Sequence, residues 1–131
     1  MTTTARRSVW TLQILLAAFF LVAAAGPKLV GQAYAVEIFD AIGIGQWFRL
    51  FVGLVELAGA IALLIPRLAG LAALGLVATM VGAAFTQLLV LGTPVLALTP
   101  LLLCALNGVV AWVRRAEIGA LLPQIRALAA A

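Results

Sequence analysis

Four apolar stretches, each near the length of a membrane span, follow one another within a chain of 131 residues. They lie at about residues 9–28, 48–65, 68–91 and 95–113, separated or closed by Gly26-Pro27-Lys28, Pro66-Arg67, Gly92-Thr93-Pro94 and Arg114-Arg115. A helix rises about 1.5 Å per residue, so about 20 apolar residues cross a hydrocarbon core. Lipid offers backbone groups no partners, which makes the helix the natural spanning form. The alternating pattern of a membrane β-barrel is absent. Composition excludes the other classes. The chain is 66% hydrophobic and 9% charged, against about 45–50% and 25% in an ordinary soluble domain. A chain this short cannot bury so much apolar surface as a soluble monomer, and disordered chains are polar and charge-rich. The expected fold is all-α: a polytopic membrane protein built as an antiparallel four-transmembrane-helix bundle.

The connections differ in kind. Pro66-Arg67 and Gly92-Thr93-Pro94 are short turns, which force antiparallel neighbours. The first connection is longer. In it Tyr34, Ile38 and Ile42 recur every fourth residue, with Glu37 and Asp40 on the other side. That pattern predicts a short amphipathic helix in the outer interface, ended by Gly43 and Gly45. Residues 1–115 form the membrane domain in this reading. Residues 116–131 form an amphipathic tail, with Ile118, Leu121, Leu122 and Ile125 on one face before and across Pro123. The tail is expected to rest on the cytoplasmic surface.

Basic residues orient the bundle. Arg6, Arg7, Arg67, Arg114, Arg115 and Arg126 fall at one end, and Lys28 and Arg49 at the other. The bias places both termini in the cytoplasm of a cell with the bundle in its inner (plasma) membrane. It also accounts for the net charge of +4 without a nucleic-acid partner. Arg6-Arg7 followed by an apolar run and Ala23-Ala24-Ala25 has the outline of a signal peptide. Three later spans make cleavage unnecessary for insertion, so the first stretch is read as a retained span. Trp10, Trp47 and Trp112 fall near the expected interfaces, as an aromatic belt requires.

The chain has no histidine and one cysteine, Cys104. It therefore lacks a histidine-ligated metal or haem site, an intrachain disulfide and a histidine acid or base. Cys104 lies among leucines and reads as a small apolar side chain with an unactivated thiol. Charges inside spans carry more information, since each needs a partner. Glu56 lies about 12 Å below the outer end of the second span. Arg49 is seven residues before it on the same helix face, with Gly53 between them, and could lie along that face towards the carboxylate. Lys28 ends the first span on a flexible stem that can bend inward. Gln87 and Thr86 fall near the same side in the third span. Two readings of this cluster stand side by side. In one, Glu56, Lys28, Arg49 and Gln87 line a polar pocket beneath the short outer interfacial helix, with Glu56 as the candidate catalytic residue and the others binding substrate. In the other, an ion pair fixes helix register. Gln13 and Asn107 face the inner side and are expected to form an interhelical hydrogen bond. The glycines and alanines of the second and third spans permit close packing within the bundle or a homo-oligomer.

Several short motifs in order resemble the DoxX-like family of small four-helix membrane proteins. They are Gly26-Pro27-Lys28-Leu29, Gly53-Leu54-Val55-Glu56, Leu63-Leu64-Ile65-Pro66-Arg67-Leu68, Gly82-Ala83 and Ala111-Trp112-Val113-Arg114, covering about residues 9–115. The family often carries histidine where this chain has Gln87, a departure that bears on proton transfer in the third span. The resemblance implies links to a thiosulfate:quinone oxidoreductase, to oxidative-stress complexes and to membrane-protein assembly. Two functions are expected from residues and resemblance together. The first is an accessory or anchoring subunit of a quinone- or thiol-redox-linked membrane assembly, whose redox centre a partner protein supplies. The second is a small membrane enzyme acting on a quinone, isoprenoid or epoxide with Glu56 as acid or base. In both, the surroundings are the lipid bilayer, no cofactor is expected on side-chain ligands, and a quinone or lipid is the candidate bound molecule.

The orientation is testable. Fused after Ala131, green fluorescent protein should fluoresce and alkaline phosphatase should stay inactive; the opposite pair of results would invert the topology.

Overall fold

The computed structural model describes all 131 residues. Six helices are distinguished: α1 Thr3–Val30, α2 Ala33–Ile42, α3 Gln46–Leu63, α4 Ala69–Val90, α5 Pro94–Val113 and α6 Arg115–Ala130. No strand is present. Helices α1, α3, α4 and α5 are each long and apolar enough to cross a membrane. They form an all-helical, multi-pass bundle, as the sequence pattern predicts.

Local chemistry sets the helix ends. Thr2 caps α1, its hydroxyl oxygen accepting from the Ala5 amide at 3.1 Å. The helix does not stop at Gly26-Pro27-Lys28, where the sequence suggested an end. It widens by one residue per turn over Phe20–Ala25 and continues to Val30. The reversal falls at Gly31, whose φ of 75° is open to glycine at little cost. Gly43, with φ 83°, ends α2 in the same way. A second widened turn, Thr86–Val90, closes α4. Both widened turns lie at the α2 end of the bundle. Such turns are uncommon and frequently border functional sites.

The core is small. Leu16, Ala17 and Phe20 of α1 meet Ala60 and Leu63 of α3, Ala73, Leu76 and Met80 of α4, and Leu103 and Val110 of α5. Only 23 of 131 residues are buried. The outward positions are apolar too: Leu15, Val22, Leu54, Leu89 and Leu102 are all exposed. In water this surface would be unstable; in a bilayer it is the lipid face. Helices α4 and α5 pack along most of their lengths. Helix α2 lies across the end of the bundle and buries Ala35 and Phe39, with Phe39 packed on Phe48 of α3. Tyr34, on the predicted apolar face, is exposed, while Ile38 and Ile42 are half-buried.

The opposite end carries both termini and a polar cluster that the sequence analysis did not foresee. Arg114 is buried although it was read as a surface charge. Its Nε donates to Gln13 Oε1 at 2.9 Å, its Nη1 lies 3.1 Å from Glu117 Oε1, and its guanidinium sits 5.2 Å from the Trp10 ring centre. Gln13 Nε2 in turn donates to the Leu63 carbonyl at 2.7 Å. One glutamine thus satisfies the end of α3 and holds Arg114. The expected Gln13–Asn107 bond does not form, because the Asn107 amide donates within its own helix to Leu103. Helix α6 runs through Pro123 and leans on the α3–α4 turn, where Arg67 Nη2 donates to Gln124 Oε1 at 3.1 Å. Trp112 stacks on Arg115 at this end, and Trp47 lies at the other.

Gly70 permits the Arg114 approach. A Cβ there would stand 2.8 Å from the Arg114 carbonyl oxygen and 2.9 Å from Ile118 Cγ1. Gly70→Ala should therefore lower stability by about 1–3 kcal/mol in detergent unfolding. Gly108→Ala, where a Cβ meets nothing within 4 Å, should not. Equal effects of the two would refute the close-approach argument.

Candidate functional site

Helices α1 and α3 bring Lys28 and Glu56 together at the α2 end. Lys28 Nζ lies 2.9 Å from Glu56 Oε1 and 3.2 Å from Oε2. The carboxylate side chain is 2% exposed and the lysine 21%. Nζ also donates to the Ala24 carbonyl at 3.2 Å, in the widened turn of α1. The lysine stem bends back along its own helix to reach both partners. A buried ion pair is favourable only when such additional hydrogen bonds accompany it.

Gly53 brings the two helices close enough for this contact. Its missing side chain leaves room that α1 occupies: a Cβ would meet Leu29 at 3.0 Å and the Lys28 Cβ at 3.1 Å. This corrects the expectation for Arg49. The strip between Arg49 and Glu56 is filled by α1, so Arg49 does not run along it. The guanidinium turns to the end of α1 instead. Nη1 donates to the Lys28 carbonyl, and Nε donates to Gln46 Oε1 at 2.8 Å. A cation is favourable there, because the last carbonyls of a helix carry partial negative charge. Gln46 Nε2 donates to Val36 O of α2 at 3.0 Å. Arg49 and Gln46 therefore tie α1, α2 and α3 to one another, and Glu56 has Lys28 as its cation.

A cavity of about 610 Å³ opens beside the pair. Its walls come from α1, α3, α4 and α5, and α2 covers it with Tyr34, Ile38, Phe39 and Ile42. The lining is mainly apolar. Lys28 and Glu56 are the charged residues in it, and Arg49 is not among the lining residues. Gln87 does line it, together with Thr86 and Thr99. The Gln87 side-chain oxygen accepts from the Thr93 hydroxyl, and the widened turn of α4 sets its position. Of the four expected residues, Glu56, Lys28 and Gln87 share one cavity, whereas Arg49 acts on the backbone behind it. One of the two sequence readings set a polar pocket beneath this helix; the cavity does lie under α2, but its lining is mainly apolar and Phe39, outside the expected four-residue repeat, is part of it.

An apolar chamber inside a helical bundle, with one buried ion pair at its wall, can receive a lipophilic molecule and meet its polar group with hydrogen bonds. The fold and this site define a four-helix, multi-pass membrane protein. The DoxX-like family profile matches residues 11–110, and the chain belongs to that family. Neither a curated protein nor a solved structure matches it.

The pair can be tested by stability alone. Lys28→Met leaves a buried carboxylate without a cation and should cost about 3 kcal/mol in detergent unfolding. Adding Glu56→Gln should restore most of that loss. A double variant as unstable as the single one would show that the pair is not what holds α1 against α3.

Proposed function

We propose that this protein binds a lipophilic small molecule in the cavity beneath α2, with its polar group at Lys28 and Glu56. The observation that carries this reading is the cavity of about 610 Å³ beside a carboxylate that is almost fully buried. A tightly packed core would have favoured a purely structural ion pair. Quinones, isoprenoids and epoxides are the candidate ligands, since each joins an apolar body to a small polar function. The protein acts as an accessory or anchoring subunit of a quinone- or thiol-redox-linked assembly. The lack of histidine and the single Cys104 support a redox centre carried by a partner. The arginine-rich end, with Arg6, Arg7, Arg67, Arg114, Arg115 and Arg126, supports cytoplasmic termini and a plasma-membrane location.

A second reading is favoured by one feature. Glu56 lies on the cavity wall and shares hydrogen bonds with Lys28, a pair able to give or take a proton. In that reading the protein is itself a membrane enzyme, with Glu56 as acid or base.

Photolabelling tests the binding role. A photoreactive short-chain quinone should label peptides carrying Phe39, Glu56 or Met80, which line the cavity. Gly82→Leu should reduce that labelling, because residue 82 lines the cavity and an added Cβ meets no atom within 4 Å. Labelling spread evenly over the lipid face, and unchanged by the substitution, would refute the role. Glu56→Gln separates the readings further: bound ligand without turnover is expected of an enzyme, and partner activity that falls only in step with ligand occupancy is expected of an anchoring subunit.

A further inference from the structure

We infer that the cavity selects molecules whose polar group is uncharged, and that the Lys28–Glu56 pair imposes this selectivity. The inference rests on the binding role proposed above and specifies the ligand class for the same site.

Hydrogen-bond accounting carries the argument. An ammonium group has three donors and no acceptor. Lys28 Nζ has three acceptors within reach: Ala24 O at 3.2 Å, Glu56 Oε1 at 2.9 Å and Glu56 Oε2 at 3.2 Å. The two Glu56 oxygens lie much closer together, seen from Nζ, than the tetrahedral angle between N–H bonds, so they share one donor; Ala24 O takes a second, and the third is left for a neutral carbonyl oxygen. An arriving carboxylate or phosphate at that donor would share one ammonium with Glu56, setting two anions side by side in an apolar wall. An arriving ammonium meets the opposite difficulty. It would have to share Glu56 with a lysine that the Ala24 carbonyl holds in place, setting two cations side by side. The pair has zero net charge whichever partner holds the shared proton.

Nothing else in the lining offers charge. The remaining polar atoms belong to Gln32, Tyr34, Thr79, Thr86, Gln87 and Thr99. These groups suit a neutral polar function. Gln87 Oε1 is taken by Thr93, which leaves the amide N–H groups to meet a carbonyl. The Thr79 and Thr86 hydroxyls donate to Gly75 O at 2.9 Å and Gly82 O at 2.8 Å. Their oxygens are left as acceptors for a hydroxyl or amide proton, as are the outer lone pairs of Glu56. The ligand class is thus an apolar body bearing a ketone, amide, alcohol or ether oxygen. Fatty acids, phospholipid phosphates and long-chain amines are disfavoured.

The selectivity should change with the pair. Glu56→Gln frees the lysine and should admit anions. Lys28→Met frees the carboxylate and should admit cations. The double substitution removes both charges and should keep the preference for neutral ligands.

The test uses the full-length protein in nanodiscs, with competition against the photoreactive quinone. The competitors are dodecyl methyl ketone, dodecanoate and dodecyltrimethylammonium, each corrected for its partition into protein-free bilayers. In the unsubstituted protein the ketone should compete at least about tenfold better than either charged probe. Glu56→Gln should improve dodecanoate relative to the ketone by at least about tenfold, and Lys28→Met should do so for the ammonium probe. The double variant provides the control should a single variant fold poorly, and it should retain the ketone preference. A charged probe matching the ketone in the unsubstituted protein would overturn the selectivity and leave the binding role standing. Charged probes gaining in the double variant would overturn it as well. Absence of cavity labelling and of any competition would overturn the binding role itself, and the selectivity with it.

Discussion

The contact between Lys28 and Glu56 is the interaction on which the α2 end of the bundle depends. Neither charge can remain alone in an apolar bundle, so each constrains the helix that carries it. Glu56 needs α1 close to α3, and Gly53 makes that approach possible. Lys28 needs its stem folded back on α1, and the Ala24 carbonyl in the widened turn accepts one of its hydrogen bonds. The same turn lets α1 run past Pro27, which places Gly31 and then α2 over the end of the bundle. Pair, turn and covering helix meet at this end of the bundle. The cavity is the space they enclose.

The other end obeys the same requirement with different residues. Gln13 spans from α1 to the last carbonyl of α3 and to Arg114, and Arg114 reaches Glu117 in α6. Trp10 covers the guanidinium. The result is a tightly packed end, with Gly70 set against the Arg114 backbone, facing an end that is hollow. The two polar clusters hold the helices at their extremities. The middle relies on small and aliphatic side chains such as Ala60, Ala73 and Leu76. This division fits a bundle that keeps a chamber at one end without losing its register.

Much of the fold was legible because lipid simplifies the code. A span announces itself by length and apolarity. The short helix α2 was legible from Tyr34, Ile38 and Ile42, and its end from Gly43. Glu56 and Lys28 were legible as candidate ion-pair partners because a charge within a span must find a partner, and few were on offer. Arg49 was misread for a definite reason. Spacing along one helix says which residues share a face, but not which neighbouring helix fills the groove between them. Gly53 looked like a passage for Arg49; it is the seat of Leu29 and the Lys28 stem. Arg114 was misread likewise. A basic pair at a span end looks like interface charge, and its partner Gln13 lies 101 residues away in the chain.

The sequence by itself determined the membrane setting, the number of spans, the covering helix and the charges that had to be neutralised. These follow from local hydropathy, helix period and the cost of unpaired charge, which need no knowledge of packing. The tertiary structure alone decided which cation Glu56 took, which carbonyls the arginines capped, and how large and how apolar a chamber stays open beneath α2. Those outcomes depend on the distance between helices, and that distance is set where glycine at 53 leaves room for the Leu29 and Lys28 side chains and glycine at 70 for the Arg114 backbone.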